Sequence, residues 1–143
     1  MKKRILVIQR DPLLSGVQKV FLSEYECLKD SYDYYLICSC KGPLTEVLKL
    51  EKTFTVNEMK RKISLVSDIR AVFKIFLIVR QIKPDIIHTH STKPGIYAAL
   101  LKLAFNFKLI HTVHGFSFHT GQSYIKYKIF SIIEGFFGKF REM

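Results

Sequence analysis

Short runs of apolar residues alternate along the chain with longer segments of helical periodicity. Residues 5–8 are a continuous apolar run, which is typical of a strand that is buried on both faces. Comparable short runs predict four further strands. These strands are expected at residues 34–38, 54–56, 85–89 and 109–113.

Helices are predicted between the strands, where apolar residues recur at roughly helical spacing. The clearest helix can be capped by Ser64 or Ser67, and Pro84 ends it because proline cannot continue a helix. Its core-facing stripe is predicted to consist of Ile69, Val72, Phe73, Phe76, Leu77 and Ile82. Other helices are expected at residues 16–28, at 43–50, around Pro94, and from about residue 124 onward.

This alternation of strands and helices predicts the fold class. Successive strand–helix–strand units favour an α/β, Rossmann-like fold, in which an open parallel sheet has helices on both faces. Ligands of such sheets bind at the loops that leave the carboxyl ends of the strands. Three such loops are predicted, at residues 9–16, 90–93 and 114–123, and functional residues are expected there.

The composition is that of one folded domain with an excess of positive charge. The 143 residues are 48% hydrophobic, and 23 Lys and Arg against 12 Asp and Glu give a net charge of +11. This charge favours an anionic partner: nucleic acid, an acidic membrane surface or a phosphorylated ligand. Nucleic acid is not expected, because no helix-turn-helix, RNP-like or zinc-finger pattern accompanies the charge.

The cysteines and the apolar segments indicate a cytoplasmic protein. Cys27, Cys38 and Cys40 are odd in number and form no CxxC pair, which predicts reduced thiols in or near the core. The apolar run at residues 5–8 is too short for a secretory signal, and no stretch reaches the ~18 apolar residues of a membrane span. We expect a cytoplasmic protein that can also lie peripherally on the inner face of the cell membrane.

The first predicted loop offers an anion site. Ser15 and Gly16 lie where a strand leads into a helix N-terminus, whose N–H groups attract phosphate. Gly16 is the only glycine of this loop. A ligand contact and a plain requirement for a small residue at the helix start therefore both stay open.

Histidines gather around the second and third loops. On a strand, His88 and His90 would point to the same face; His111 follows on the next strand and His114 just past its end. No HExxH pattern is present, and no cysteine or carboxylate completes a recognisable zinc spacing. No metal site is predicted.

Other residues of these loops can bind substrate. Ser91 and Lys93, at a helix start, can contact a hydroxyl or phosphate oxygen; alternatively Ser91 only caps the helix and Lys93 is solvated. His114 can donate a hydrogen bond or act as acid or base, and Gly115 would let a ligand approach the backbone closely. A histidine that merely caps the strand end is the alternative for His114.

The predicted last helix is basic and amphipathic. Its rim of basic and aromatic residues is expected to face an anionic membrane, whereas its stripe of isoleucines and phenylalanines is expected to pack on the core. The membrane-facing residues would be Lys126, Tyr127, Lys128 and Phe130.

Three segments resemble one family. They are residues 15–18 (SGVQ), 84–95 (PDIIHTHSTKPG) and 110–116 (IHTVHGF). Together they are similar to glycosyltransferase family 4, the retaining enzymes of the GT-B fold, and the likeness is closest to members that build capsular and other surface polysaccharides. The resemblance covers nearly the whole chain.

The resemblance implies roles for the loop residues. Gly16 would match the second position of a Gly-Gly loop at the donor diphosphate, where Ser15 replaces the first glycine. His114 would be the catalytic histidine that reaches the transferred sugar. The remaining substrate-binding residues would be His90, Ser91 and Lys93 on the acceptor side, with Gly115 and Phe116 beside the catalytic histidine.

The resemblance also implies substrates and a larger assembly. Such enzymes transfer a hexosyl group from a nucleotide-diphosphate sugar, need no metal or other cofactor, and often use a lipid-linked saccharide as acceptor. The family's C-terminal donor domain is not found in residues 1–143. We therefore expect a single, incomplete N-terminal GT-B domain that is inactive by itself, because half of the cleft would have to come in cis or in trans.

Two alternatives stay open at this point. The chain could be the acceptor and membrane subunit of a split glycosyltransferase, whose donor half lies on another polypeptide. It could also be a basic, Rossmann-like binding module without catalysis.

Overall fold

The computed structural model describes residues 2–48 and 52–112, together with residue 135. Its elements are β1 (Lys3–Ile8), α1 (Gly16–Leu28), β2 (Tyr32–Cys38), α2 (Pro43–Leu48), β3 (Thr53–Thr55), α3 (Leu65–Ile82), β4 (Ile86–His90), α4 (Thr92–Leu101) and β5 (Lys108–Thr112). The third predicted loop and, apart from residue 135, the predicted last helix lie outside the described residues.

The five strands form one parallel sheet in the order β3-β2-β1-β4-β5. β1 lies at its centre, and its residues Ile5 to Ile8 are all buried, as their continuous apolar run predicts. The order confirms the predicted Rossmann-like α/β class, because every described helix links two parallel strands of one open sheet.

Helices cover both faces of the sheet, and two apolar clusters show which helix lies where. On one face, side chains of α1 and α2 pack on the odd-numbered positions of β1. On the other face, α3 and α4 pack on the even-numbered positions. The helices after β1 and β4, which are neighbours in the sheet, therefore leave it on opposite sides.

α3 begins and ends where the sequence predicts, but it faces the sheet with a different stripe. Ser64 is the N-cap residue, and the helix ends at Ile82, before Lys83 (φ 51°) and Pro84. The buried residues are Ser67, Ala71, Ile75, Val79 and Ile82. Half of the predicted stripe is confirmed, since Ile82 is buried and Val72 and Phe76 pack on the same core. The other half was wrong, because Ile69, Phe73 and Leu77 are 61%, 62% and 47% exposed.

The reason lies in the composition of α3. Its apolar residues surround most of the helix, so the hydrophobic period does not determine which side meets the sheet. The side that does so carries Ala71 and the β-branched Ile75 and Val79. Small and stiff side chains of this kind allow a helix to approach a sheet closely.

The three cysteines are free, as predicted, but they differ in position. Cys38 is buried, and burial raises the pKa of its thiol to about 12. Cys27 and Cys40 are exposed, which corrects the expectation that all three lie in or near the core.

Candidate functional site at the carboxyl edge of the sheet

The carboxyl ends of β1 and β4 lie side by side at the centre of the sheet. Ile8 pairs with Thr89 in parallel register, and the two following loops turn to opposite faces. This is the switch point at which open α/β sheets bind their ligands, because the diverging loops leave a crevice between them. It brings the first and second predicted loops together.

The loop after β1, residues 9–15 (the β1 loop), is fastened by its own polar groups. Arg10 forms an ion pair with Asp11, and its Nε donates a hydrogen bond to Asp11 Oδ1 at 3.0 Å. This hydrogen bond lowers the pKa of Asp11 and raises that of Arg10. At the other side of the loop, Gly42 has no space for a side chain, since a Cβ there would lie 2.9 Å from Pro12 Cγ.

Gln18 holds the end of the β1 loop to the first turn of α1. Its Nε2 donates to the carbonyl oxygen of Asp11 at 2.9 Å, and its Oε1 accepts from the Ser15 N–H at 3.2 Å. The Ser15 hydroxyl contacts the same oxygen. Gln18 is buried although it is polar and lies on a helix, a role that its sequence position alone did not reveal.

Gly16 opens α1 beside free space. A Cβ built on it would meet no atom within 4 Å, and its φ is not in the left-handed region. Neither packing nor backbone geometry therefore requires glycine here. The helix N-terminus, with its outward N–H groups, is accessible to a ligand.

Gln9 ends β1 as a buried amide. It is 1% exposed, and within the described part of the chain neither its Nε2 nor its Oε1 has a hydrogen-bond partner. A buried amide without partners costs about 1–3 kcal/mol, so such groups call for a functional explanation or a bound molecule. Sequence reasoning missed Gln9, because a polar residue at the end of a strand resembles the start of an ordinary loop.

Ser91 caps α4 with a strained backbone. Its φ of 77° and ψ of 153° fall in a region that is almost restricted to glycine. Its carbonyl oxygen accepts from the Gly95 N–H at 3.2 Å, but its side chain makes no capping hydrogen bond. Ser91 thus lies at a predicted substrate position with its hydroxyl not used as a cap.

Lys93 is neither solvated nor aimed at open space. Its ammonium donates to the carbonyl oxygens of Lys60 and Lys62, both at 2.9 Å, and pairs with Asp68 Oδ1 at 2.7 Å. These contacts use the three donors that an ammonium has. A role of Lys93 in acceptor binding stays a prediction; in the structure it holds residues 60–62 against the start of α4.

Asp68 is the centre of this group of contacts, which we call the Asp68 network. It accepts hydrogen bonds from Tyr97 Oη at 2.6 Å and from the Ser64 N–H at 3.0 Å, besides its pair with Lys93. Burial opposes its ionisation, but these contacts outweigh burial and lower the pKa of Asp68. Burial and the bond to Asp68 raise the pKa of Tyr97.

His88 and His90 point to the same face of β4, as predicted, and a carboxylate joins them there. Their ring centroids are 4.3 Å apart, and His88 Nδ1 lies 3.4 Å from Glu24 Oε2 of α1. His88 Nε2 is 2.8 Å from Thr112 Oγ1. Glu24, whose pKa is raised by burial, is distant in sequence, so a search for metal-ligand spacing could not have found it.

This Glu24–His88–His90 group could hold a divalent transition metal. One ligand atom from each residue lies within 4.8 Å of the others, and imidazole with carboxylate is a donor set that suits zinc. His90 is fully buried beneath Phe21, with ring centroids 6.0 Å apart. The predicted contact of His90 with an acceptor stays a prediction. Because the side chain is buried, an acceptor could reach it only if the residues above it moved.

The remaining predicted residues do not join this group. His111 Nδ1 lies 2.8 Å from Thr89 Oγ1 and so faces the opposite side of the sheet from His88. The catalytic prediction at His114, its neighbours Gly115 and Phe116, and the membrane-facing rim all lie outside the described residues. The rim residues are Lys126, Tyr127, Lys128 and Phe130.

The sheet order and the crevice at its switch point define the class of protein: an α/β, Rossmann-like domain of the kind found in GT-B glycosyltransferases. The chain belongs to the glycosyl transferase 4-like family, whose model matches residues 13–137. It is 41% identical over 122 residues to the UDP-Gal:alpha-D-GlcNAc-diphosphoundecaprenol alpha-1,3-galactosyltransferase of Escherichia coli, covering 83% of this chain and 32% of that protein. The chain thus spans about a third of that relative's length.

Solved structures share the fold at lower identity. HepE of Anabaena, crystallised with UDP and glucose, superimposes with a TM-score of 0.70 at 12% identity, over 99% of this chain and 37% of its own. A glycosyltransferase from Rickettsia africae ESF-5 superimposes with a TM-score of 0.68 at 22% identity, over 84% of this chain and 32% of that protein. A UDP-N-acetylglucosamine 2-epimerase superimposes with a TM-score of 0.68 at 16% identity, over 100% of this chain and 41% of that protein. The fold alone therefore does not separate a transferase from an epimerase.

Proposed function

We propose that this chain is the acceptor-side, N-terminal domain of a retaining glycosyltransferase. The enzyme would move a hexosyl group from a nucleotide-diphosphate sugar to a lipid-linked saccharide in surface polysaccharide biosynthesis. The observation that carries this proposal is the 41% identity to a transferase whose name states a UDP-galactose donor and a diphosphoundecaprenol-linked acceptor. Identity at this level over 83% of the chain favours a transferase over the epimerase that shares the fold.

The geometry of the carboxyl edge supports a donor position at the β1 loop. The open N-terminus of α1 at Gly16 suits the donor diphosphate, because helix N–H groups and the helix dipole favour anions. Ser15 lies beside it and Gln9 lies beneath the loop with unused amide atoms. His114 is proposed as the catalytic residue at the transferred sugar, with Gly115 and Phe116 adjacent.

An acceptor position is proposed at the start of α4. The Ser91 hydroxyl is the polar group there that is available for a sugar hydroxyl. We propose that Lys93 and His90 act as positioning residues: Lys93 holds residues 60–62 against α4, and His90 packs beneath the same strand end. No metal is required for this arrangement.

Activity is proposed to need a second, donor-binding half, supplied in cis or in trans by residues outside this chain. Without it the two substrates are not held in reacting geometry, so the 143-residue chain alone should not turn over. The intact mass of the gene product in its own cells separates the two routes. A species more than twice the 16.7 kDa of this chain indicates a donor half in cis, and one at 16.7 kDa directs the search to a co-purifying partner.

A graft tests the proposed function directly. This chain would replace the matching segment of the Escherichia coli galactosyltransferase, and transfer from UDP-galactose and other UDP-hexoses to a GlcNAc-diphospholipid would be measured. We expect activity in the graft, a loss of at least a hundredfold with His114→Ala, and none in the chain alone. A folded graft that binds UDP-hexoses but transfers no sugar would contradict the proposal, and salt-dependent binding of DNA or RNA without sugar-nucleotide binding would favour a non-catalytic module.

A further inference from the structure

The outer face of α3 carries large apolar side chains that the fold leaves in solvent. Leu65, Ile69, Phe73 and Leu77 recur every four residues on the side opposite the sheet and are 47% to 76% exposed. Val66 and Ile63 lie next to them in the chain and are 63% and 73% exposed. We call these six residues the α3 stripe. These six are almost half of the fourteen large apolar residues that are exposed in the described part of the chain.

Cations outnumber acids around the α3 stripe, where Glu58 pairs with one of them, Lys74, at 2.6 Å. Residues 60–82 contain six Lys and Arg and one acid, Asp68. Asp68 faces inward, where Lys93 and Tyr97 hold it in the Asp68 network. The six cations are Lys60, Arg61, Lys62, Arg70, Lys74 and Arg80, and all of them are exposed.

From these observations we propose that the α3 stripe is the surface by which the protein lies on an anionic lipid bilayer. An apolar helix face rimmed by cations binds the membrane interface, because its side chains enter the acyl boundary while its cations meet lipid phosphates. No helix among the described residues is long and apolar enough to cross a bilayer. α3 would therefore lie in the plane of the membrane; the predicted rim at Lys126 to Phe130 lies outside the described residues and stays a prediction.

The stripe is also placed suitably for a lipid-linked acceptor. α3 runs back from the carboxyl edge of the sheet, so its first residues adjoin the loop at residues 60–62, which Lys93 fastens to the start of α4. A bilayer on the stripe would leave the proposed acceptor position at Ser91 close to the lipid surface. This last point rests on the proposed function, whereas the bilayer contact itself does not.

The test measures binding of the 143-residue chain to vesicles. Partition coefficients would be obtained by flotation with 30% phosphatidylglycerol in phosphatidylcholine and with phosphatidylcholine alone. The variant Ile69→Ser/Phe73→Ser removes apolar contact without changing net charge. Its matched control is Val47→Ser/Leu103→Ser, which alters two residues that are 56% and 72% exposed outside the stripe. Circular dichroism confirms that each variant is folded.

We expect binding to the anionic vesicles that is at least tenfold weaker in the stripe variant and unchanged in the control. Arg70→Gln/Arg80→Gln should weaken binding to a similar degree and reduce its salt dependence. Absence of vesicle binding, or equal binding by stripe and control variants, would overturn the proposal. So would a wild-type dimer that Ile69→Ser/Phe73→Ser converts to a monomer without any effect on vesicle binding. Sugar transfer by the graft described above, measured separately without vesicles, shows whether the proposed function fails.

Discussion

The two sides of the crevice at the carboxyl edge of the sheet differ in how completely their polar groups are paired. In the Asp68 network every charged group has a partner within the chain, and the segments before α3 and α4 are held together. Around the β1 loop, the buried side-chain amide of Gln9 has no hydrogen-bond partner among the described residues, and Gly16 borders open space. The first side is therefore held by its own contacts, whereas the second, where we propose that the donor binds, retains a buried amide that a ligand could pair.

The largest change in stability is expected from a substitution in the Asp68 network. Asp68→Asn should lower the free energy of unfolding by about 2–3 kcal/mol, because the half-buried Lys93 ammonium loses its counter-charge and Tyr97 loses an ionised acceptor. Chemical denaturation at pH 7 measures this. Asp33→Asn is the control, since Asp33 pairs with Lys52 at a more exposed position and should cost less than about 1 kcal/mol. Equal costs would show that the network adds no more than a surface ion pair.

The same contacts predict a pH dependence with a definite sign. Folding lowers the pKa of Asp68, so its contribution is fully present above its unfolded pKa of about 3.9 and is lost as the pH falls through the lower, folded value. The difference in unfolding free energy between wild type and Asp68→Asn should thus be constant from pH 5 to 7 and shrink below about pH 4. A difference that grows on acidification would contradict this assignment.

Relief of backbone strain should have a smaller effect in the opposite direction. Ser91→Gly should raise the free energy of unfolding by about 1 kcal/mol, after the greater freedom of glycine in the unfolded chain is deducted. Ser91→Ala keeps the strained φ and should bring no gain. Thermal unfolding of both variants measures the difference, and equal melting temperatures would indicate that the backbone at residue 91 is not strained.

At Gln9, beside the β1 loop, one substitution should leave stability unchanged or higher while it weakens donor binding. Gln9→Met removes unpartnered amide atoms at similar length, so the free energy of unfolding of the chain should stay level or rise by about 1 kcal/mol, while UDP-hexose binding by the graft weakens. Calorimetry gives the affinity. Gln81→Met, an exposed position on α3, is the control and should change neither quantity. If Gln9→Met destabilises the protein strongly, the amide has a structural partner after all.

The smallest change in stability is expected at the open helix start. Gly16→Ala should alter the free energy of unfolding by no more than about 0.5 kcal/mol, because a Cβ meets nothing there, yet it should weaken binding of the donor diphosphate. Gly42→Ala is the contrasting variant: its Cβ would lie 2.9 Å from Pro12 Cγ and should destabilise the β1 loop. Unchanged UDP-hexose affinity of the graft that carries Gly16→Ala would remove Gly16 from the proposed donor site.

Prediction from sequence succeeded where one physical signal dominates. The run at residues 5–8 could only be a strand buried on both faces, and Pro84 could only end a helix, so the order of elements and the sheet class followed. The stripe of α3 was predicted wrongly at three of its six positions, because apolar residues on two sides of a helix give two solutions of equal period. Only the three-dimensional packing selects Ala71 and Ile75 over Ile69 and Phe73.

The candidate site was predicted in outline for a related reason. Loops at the carboxyl edge can be located from strand order, which placed Ser15, Gly16 and Ser91 at the crevice. Contacts between distant residues leave no local pattern, so the approach of Glu24 to His88 and the use of Lys93 as a fastening for residues 60–62 could not be read from spacing.

The central position of β1 has a consequence for synthesis on the ribosome. One edge of β1 pairs with β2, which follows after one helix, but the other edge waits for β4, about eighty residues later. At about 5–20 residues per second this interval lasts roughly 4–16 s. Throughout this interval β1 of the nascent chain presents an unpaired edge, which is a template for aggregation. Slow translation or overexpression should therefore harm this chain before its fourth strand emerges, whatever the stability of the finished fold.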